Sequence, residues 1–276
     1  MATNDPIPVL VLFGPTASGK TNVLMRLFGC VDSKFCKAEI ISADSMQVYR
    51  GMDIGTAKPS AEEISKLPHH LIDICDPGEQ FTAGDFVRLA DEAATGISRR
   101  GALTVVCGGT GFYLKNFITG LPEAPPSDTA IRETLKLELK ERGAAALMEE
   151  LVCCDPVSAE KIHINDEYRL LRALEVLRLS GRPLSSYGVS SPPRPQYRFL
   201  VIGLSRPREE LYTRIQKRCA AMFAQGLPDE VRRLHGAGYT PRDPGLRAIG
   251  YREFFVEEEG EYRLSQDLAG VQALVV

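Results

Sequence analysis

Residues 14–21 read Gly14-Pro-Thr-Ala-Ser-Gly-Lys-Thr21, and they directly follow the apolar run Val9-Leu10-Val11-Leu12-Phe13. The pattern G-x-x-x-x-G-K-S/T in this setting predicts a buried strand, a glycine loop and a helix that begins near Thr21. Backbone N–H groups of such a loop converge on a phosphate, Lys20 adds a positive charge, and the Thr21 hydroxyl can bind Mg²⁺. We therefore expect a di- or triphosphate group to be bound by Gly14, Pro15, Thr16, Ala17, Ser18, Gly19, Lys20 and Thr21.

Short apolar runs alternate with helical patterns on both sides of this loop. The expected strands lie at 39–42, 103–107 and 199–204, with a further apolar stretch at 71–74. A helix capped by Thr82 should stop at Gly101, and another should run over 207–224 with Ser205 as its cap. This alternation predicts an α/β fold, a P-loop NTPase-like parallel sheet flanked by helices. Ligands bind beyond the carboxyl ends of such strands, so the loop at 14–21, Asp44 and residues 108–110 should face one crevice.

The middle of the chain has a different composition. A proline-rich segment at 122–126 is followed by three amphipathic helical segments, at 128–142, 144–151 and 166–179, the last capped by Asn165 and closed by Gly181. A second proline-rich stretch, 190–195, ends this block. We therefore predict a first part of the core at 1–121, an all-helical insertion domain at 122–193 and a second part of the core at 194–276.

The overall composition is that of an ordinary globular protein. The 276 residues carry a net charge of −3, so any polyanion must be held by a local basic patch. No apolar run is long enough for a membrane span, and the first residues do not resemble a signal peptide. Seven cysteines without a C-x-x-C pair are typical of reduced thiols, and we expect a cytoplasmic monomer. His69 and His70 follow Pro68 and are expected on the surface of a loop.

Asp44 is the sharpest single candidate for chemistry. A carboxylate at the end of a strand can act as a general base or as a Mg²⁺ ligand, although it can also simply cap a turn. The strand 103–107 ends in Cys-Gly-Gly without the acid that many phosphate-loop hydrolases carry there, and Asp73 is a weak substitute. This absence favours a transferase over a nucleotide motor or switch.

Three groups of basic residues could bind a polyanion. Arg214 and Arg218 are four residues apart and share one face of the expected helix, with Lys217 beside them. If that face meets the crevice, these side chains clamp phosphate; otherwise they form a solvated surface. The other groups are Arg169 with Arg172, and Arg247 with Arg252.

At this point the sequence resembles one family, the tRNA dimethylallyltransferases, also called tRNA isopentenyltransferases. The resemblance covers nearly the whole chain and rests on segments in a fixed order. These are Gly14–Thr21, Ser42–Tyr49, Arg50–Pro59, Pro68–Asp73, Phe81–Phe86, Gly108–Tyr113, Asp155-Pro156, Asn165–Val176 and Arg247–Arg252.

The resemblance implies a reaction and roles for individual residues. The dimethylallyl group of dimethylallyl diphosphate is transferred to N6 of the adenosine at position 37 of tRNA, with assistance from Mg²⁺, bound in part by Thr21. The family positions imply that Asp44 is the general base and that Thr110 and Arg218 lie near the diphosphate and the reacting centre. The loop then has the shape of a nucleotide-binding loop for ATP, but it holds the diphosphate of the dimethylallyl donor and no ATP is consumed. The segments that match tRNA contacts contain Asp44, Ser45, Met46, Gln47, Thr110, Arg132, Tyr168, Arg169, Leu170, Leu171, Arg172, Arg247, Ala248, Ile249, Gly250, Tyr251 and Arg252.

Other functions stay open at this stage. A small-molecule kinase has the same loop, and an adenylate isopentenyltransferase has the same chemistry with a free nucleotide as acceptor. Family members usually continue into a basic helix, whereas this sequence ends at 267–276 inside that helix. We therefore expect weaker tRNA binding than in a longer relative, and a non-catalytic tRNA-binding remnant is the third alternative.

Overall fold

Five parallel strands form the central sheet of this computed structural model, which describes residues 5–29, 36–188 and 192–275. The sheet order is β3-β2-β4-β1-β5. In chain order the strands are β1 Ile7–Phe13, β2 Ala38–Ser42, β3 His69–His70, β4 Leu103–Gly108 and β5 Tyr197–Gly203. The order places β4 at the centre of the sheet, with β1 and β2 on either side of it.

The burial of the central strands explains their continuous apolar sequences. Val11 of β1 is opposite Val106 of β4 and Val201 of β5, and both Val11 and Val106 are fully buried. Helices cover both faces of a parallel sheet, so its inner strands have no polar side. β5 is an edge strand, and its Leu200 and Ile202 side chains are exposed.

Parallel strands need long crossover connections, and helices lie in the connections between these strands and also follow β5. They are α1 Lys20–Phe28, α2 Ala61–Lys66, α3 Ala83–Arg99, α4 Gly111–Thr119, α5 Thr129–Cys154, α6 Pro156–Ala159, α7 Glu167–Ser180, α8 Arg208–Ala224, α9 Leu227–Gly236 and α10 Leu268–Val275. A small antiparallel hairpin pairs β6 Phe255–Glu258 with β7 Glu261–Leu264. Short 3₁₀ turns lie at Leu184–Ser186, Gly245–Arg247 and Arg252–Phe254.

The chain forms two compact units, Met1–Gly120 with Pro193–Val276, and Leu121–Pro192. The second unit has its own leucine-rich core, to which Leu135, Leu151 and Leu174 contribute. Its longest helix, α5, is interrupted at Gly143, where φ is +79°. Glycine tolerates this conformation, so the chain bends there and two helical segments pack within one small unit.

Glu175 ties this helical unit together from inside. Its side chain has no exposed area and accepts hydrogen bonds from Ser127 Oγ at 2.6 Å and from the Asp128 backbone N–H at 2.8 Å. Arg172 and Arg132 pair with the same carboxylate, at 2.8 and 3.3 Å. A buried carboxylate needs such partners because desolvation of an unpaired charge is costly.

Helix α3 confirms the expected boundaries at both ends. The Thr82 side chain accepts from the Asp85 backbone N–H, and the Asp85 carboxylate accepts from the Thr82 N–H, forming a capping box. The helix ends at Arg99, and Gly101 follows with φ of +69°. Both signals are local, so the sequence alone was sufficient to predict them.

Several local expectations were wrong. The third strand is His69–His70 rather than the stretch at 71–74, where Leu71 and Asp73 both have positive φ. Two other corrections concern helix caps: Asp166, not Asn165, caps α7, and Pro207 precedes α8 without any side-chain cap from Ser205.

Within the described ranges, no helix is both long and apolar enough to cross a membrane. The described cysteines are all free, including Cys153 and Cys154. No cluster of three metal-ligating side chains was found among the described residues.

Candidate active site

The main cavity of the first unit lies at the carboxyl ends of its strands and has a volume of about 830 Å³. It is open to solvent and is lined by most of the glycine loop, though not by Gly14, Pro15 or Ser18, by residues after β2 and β4, and by one face of α8. The expected common crevice is therefore present. Its lining includes Thr16, Ala17, Gly19, Lys20, Thr21, Asp44, Gln47, Gly108, Gly109, Arg214, Lys217 and Arg218.

The glycine loop folds as a tight turn that leads into α1. Ala17 and Gly19 both have positive φ, 63° and 98°, and the Lys20 ammonium donates to the carbonyl oxygens of Gly14 at 2.8 Å and Pro15 at 3.0 Å. Partial burial lowers the pKa of Lys20 from its usual value. The first turn of α1 contains no acidic residue, so its N–H groups and positive dipole end are available to a phosphate.

Two arginines hold the outer side of this loop. Arg214 Nε donates to the Ala17 carbonyl at 2.6 Å, and Arg206 Nε donates to the Ser18 carbonyl at 2.7 Å. Sequence reasoning named Arg214 but missed Arg206. Its position just after β5, at the same edge of the sheet as Asp44, was the signal that could have identified it.

Arg218 supplies a further positive charge to the cavity. Burial lowers the pKa of its guanidinium, while the charge of Asp44 acts in the opposite direction. No hydrogen bond within the described residues engages this guanidinium, whereas Arg214 is already bonded to the loop. Arg218 is thus a cation of the cavity lining that is free to meet an anionic ligand, whereas Lys20 and Arg214 both also bond carbonyl oxygens of the loop.

Asp44 lies in a tight turn directly after β2. Its Oδ1 accepts from the Met46 backbone N–H at 2.9 Å, so one oxygen caps the turn while the residue also lines the cavity. Thr110 Oγ1 accepts from the Ser45 N–H at 3.0 Å, which joins this turn to the start of α4. Thr110 is not part of the cavity lining; in this structure it fixes the turn that carries Asp44.

The turn after β2 can approach β4 only because residue 108 is glycine. A Cβ added to Gly108 would lie 2.0 Å from the Ala43 carbonyl oxygen. The neighbouring Cys107 is partly buried, and desolvation raises the pKa of its thiol to about 11. Cys107 therefore remains a neutral thiol beside Lys20 and Asp44 at ordinary pH.

Gln47, three residues after Asp44, has both ends of its amide bonded. Ser42 Oγ donates to its Oε1 at 2.8 Å, and its Nε2 donates to the carbonyl oxygens of Thr56 and Ala57, both at 3.3 Å. The family resemblance had grouped Gln47 with tRNA contacts. The structure places it in the same cavity as Asp44.

Asp73 and His69 differ from expectation. Asp73 does not line the main cavity and instead pairs with Lys58, a nearly buried lysine that also bonds Asp53, so it is no substitute for a metal-binding acid at β4. His69 is half-buried in β3 and lines the cavity, with its Nδ1 2.7 Å from the Leu67 carbonyl, and burial lowers its pKa. The surface loop expected for this histidine was wrong because β3 pairs with β2.

The expected tRNA contacts on α5 and α7 fall into two groups. Tyr168 and Arg169 are well exposed, whereas Leu170 and Leu171 belong to the core of the helical unit, so their side chains cannot reach RNA. The Arg132 guanidinium lies 4.6 Å from the centre of the Tyr168 ring. Arg132 and Arg172 both bond Glu175 and so support the helices from within.

The segment 247–252 divides in the same way. Ile249 is 68% exposed, but Tyr251 is completely buried and Ala248 nearly so, which rules out contact of these two side chains with a ligand. Gly250 has φ of +93° at the bend between them. Arg247 donates to the carbonyls of Pro241 and Arg242, and Arg252 pairs with Glu253.

A family model described as IPP transferase matches residues 47–273. This protein belongs to the IPP transferase family. The matched region begins after the glycine loop, and it includes α8 and the residues after β4 that line the cavity.

Individual relatives agree. The tRNA dimethylallyltransferase of Geobacter sulfurreducens is 44% identical over 252 residues, which are 89% of this chain and 78% of the relative. The tRNA dimethylallyltransferase 1 of Pelobacter propionicus is 45% identical over 256 residues, which are 91% of this chain and 80% of the relative.

Solved structures share the fold. The tRNA isopentenylpyrophosphate transferase of Bacillus halodurans is 39% identical and superposes with a TM-score of 0.58, covering 89% of this chain and 75% of that one. A eukaryotic dimethylallyltransferase described as acting on tRNA is 27% identical with a TM-score of 0.73, covering 90% of this chain and 62% of that one.

Proposed function

We propose that this protein transfers the dimethylallyl group of dimethylallyl diphosphate to N6 of adenosine 37, beside the anticodon of tRNAs. The observation that carries the proposal is one cavity that combines an anion-binding loop with the carboxylate of Asp44. This reaction requires a binding site for the diphosphate that leaves and a base that accepts the proton of the amine. Membership of the IPP transferase family supports the same reading.

The diphosphate would bind in the glycine loop against α1. Lys20, Arg218 and the N–H groups at the helix start all favour the charge that develops on the diphosphate as it leaves. Interactions that strengthen as this charge develops lower the barrier, whereas those equal in both states only tighten binding.

A Mg²⁺ ion fits the donor set on the loop side of the cavity. Thr21 lines the cavity and offers a hydroxyl oxygen, and Mg²⁺ prefers few protein oxygens together with phosphate oxygens and water. When bound, the ion would neutralise charge on the diphosphate. Lys20 and Arg218 would act on the diphosphate, and Asp44 would act on the adenosine amine.

Asp44 would accept the proton of the adenosine amine. The new bond joins N6 to C1 of the dimethylallyl group, and the C1–O bond breaks with its electron pair leaving on the diphosphate. The N6 proton passes to the Asp44 carboxylate. Because the Oδ1 atom of Asp44 is held by the Met46 N–H, the carboxylate is presented in a fixed direction.

The acceptor is expected to be an RNA base rather than a free nucleotide. The helical unit presents Tyr168 and Arg169 at its surface, and Ile249 is exposed on the first unit. A base that is stacked in RNA cannot enter a cavity at the carboxyl ends of the strands, so adenosine 37 must leave its stack. We infer that the helical insertion binds the anticodon stem and that the protein acts as a monomer.

The kinase alternative is less favoured because β4 ends in Cys107-Gly108-Gly109 without a metal-binding acid. The test is transfer of radiolabelled dimethylallyl from its diphosphate to an anticodon stem-loop, with AMP as the competing acceptor and ATP omitted. Label in the RNA alone supports the proposal. Label in AMP alone would identify an adenylate isopentenyltransferase, and no label in either, from folded protein that binds pyrophosphate, would refute prenyl transfer.

A further inference from the structure

Glu230 of α9 is a buried carboxylate that the proposed chemistry does not use. Its side chain is 2% exposed and accepts from three successive backbone N–H groups, those of Asp53 at 3.0 Å, Ile54 at 2.9 Å and Gly55 at 3.2 Å. A fourth donor is the hydroxyl of Tyr251, at 2.6 Å. Four donors offset the desolvation of the charge, so this carboxylate fixes the loop at 53–57 to α9.

The Tyr251 ring sets the same loop by contact. A Cβ added to Gly55 would lie 2.5 Å from the ring, so the loop backbone packs directly against the hydroxyl-bearing end of Tyr251. Ala57, at the end of the loop, has φ of +47°. Such a backbone conformation is unfavourable for alanine and persists where surrounding contacts hold it.

The far end of this loop faces Gln47. The carbonyl oxygens of Thr56 and Ala57 can only accept, so the Gln47 atom that faces them must be the amide nitrogen. Its oxygen is then the atom that faces Ser42 Oγ. The loop at 53–57 therefore determines the orientation of an amide that lines the cavity with Asp44.

We infer that Glu230 and Tyr251 are positioning residues for the acceptor side of the site, acting through the loop at 53–57 on Gln47. This inference rests on the proposed function, since it assigns Gln47 to the adenosine that receives the dimethylallyl group. It also gives Tyr251 a role that fits its burial. The buried tyrosine orients a residue of the cavity instead of touching RNA.

The test is Tyr251→Phe, which removes one hydrogen bond and keeps the ring on Gly55. We expect kcat/KM for an anticodon stem-loop to fall roughly tenfold, while pyrophosphate affinity is unchanged. In a Gln47→Ala background the same substitution should have little further effect, because the residue it positions is gone. Tyr197→Phe is the matched control: its hydroxyl bonds Asp91 at 2.7 Å at the opposite end of the sheet, and its loss should leave these kinetics unchanged.

Hydrogen exchange provides a readout that needs no substrate. The amides of residues 53–55 should exchange faster in Tyr251→Phe than in the wild type and should not change in Tyr197→Phe. Unchanged exchange, or equal losses of activity with and without Gln47, would overturn the inference. A wild-type protein that transfers no dimethylallyl to RNA would refute the proposed function, and the exchange rates would still decide whether Tyr251 and Glu230 hold the loop.

Discussion

Replacement of Asp44 by asparagine separates its two roles. In the wild type the Met46 N–H donates to Asp44 Oδ1 at 2.9 Å. Asparagine keeps an oxygen at that position and can still accept this hydrogen bond, so the turn after β2 should be preserved. The substitution removes only the negative charge and the ability to take a proton. Any loss of rate then reports on chemistry rather than on folding.

The expected loss in kcat is about 10²- to 10⁴-fold, the usual contribution of a general base, or about 3–5 kcal/mol of activation free energy. The KM for dimethylallyl diphosphate should not rise. Asp44 lies near enough to Lys20 and Arg218 to affect their pKa, so its charge also repels the anionic substrate that they bind. Its removal should leave diphosphate binding equal or slightly tighter.

The assay is single-turnover transfer to an anticodon stem-loop, with pyrophosphate binding measured separately by calorimetry. Asp44→Ala is the comparison variant: it should lose a similar rate and, in addition, about 1 kcal/mol of folding stability with the Met46 hydrogen bond. An Asp44→Asn protein that keeps more than about a tenth of the wild-type kcat would refute the assignment of Asp44 as the base.

Three further predictions concern stability and pH. Gly108→Ala should lower the free energy of unfolding by about 3 kcal/mol, because the added methyl group meets the Ala43 carbonyl oxygen at 2.0 Å; urea denaturation measures this. Pyrophosphate affinity should weaken as pH rises through the lowered pKa of Lys20, at a pH below 10.5, because the ligand favours the protonated amine; calorimetry across pH should show the decline in the wild type and not in Lys20→Arg. The pKa of Glu39 is held at about 2, mainly by the hydrogen bond from the Arg100 guanidinium. Glu39 therefore contributes its full stabilisation of the fold above pH 4.5, and this contribution is lost as pH falls toward 2. Because Arg100 is half-exposed, solvent screens the pair, and the acid-dependent loss of stability should be only modestly larger in the wild type than in Arg100→Gln.

Controls for these predictions come from the same chain. Gly111→Ala adds a methyl group that meets no atom within 4 Å, so it should leave the unfolding free energy within about 0.5 kcal/mol of the wild type. A Gly108→Ala protein as stable as Gly111→Ala would contradict the close approach of β2 and β4. Identical acid profiles for the wild type and Arg100→Gln would contradict the assignment to Glu39.

Much of the fold could be read from short segments because the signals there are local. Apolar runs predicted the strands around the glycine loop, and Thr82 with Gly101 predicted both ends of α3. The breaks at Gly143 and Gly181 also follow from the left-handed backbone that glycine tolerates. The cap of α7 was missed by one residue, since adjacent Asn165 and Asp166 are both good caps and local chemistry does not choose between them.

The candidate site was only partly predictable. The rule that ligands bind at the carboxyl ends of parallel strands predicts from sequence that the glycine loop, Asp44 and residues 108–110 face one crevice. The same rule did not reveal that Thr110 bonds Ser45 outside the cavity lining or that Arg206 holds the loop. Those contacts join residues 65 and 188 positions apart, and no periodicity in the chain encodes them.

The sequence by itself determined the elements whose cause lies within a few residues: the glycine loop, the helix that follows it and the capped helix α3. It also indicated the family, through motifs spread along the chain. The tertiary structure decided the sheet order, the two-residue strand His69–His70 and the burial of Tyr251 against Glu230. The physical reason is that burial and pairing depend on what packs against a residue. A tyrosine between two arginine-bearing turns looks like an RNA contact in the chain, and only the packing of α9 against it makes it part of the core.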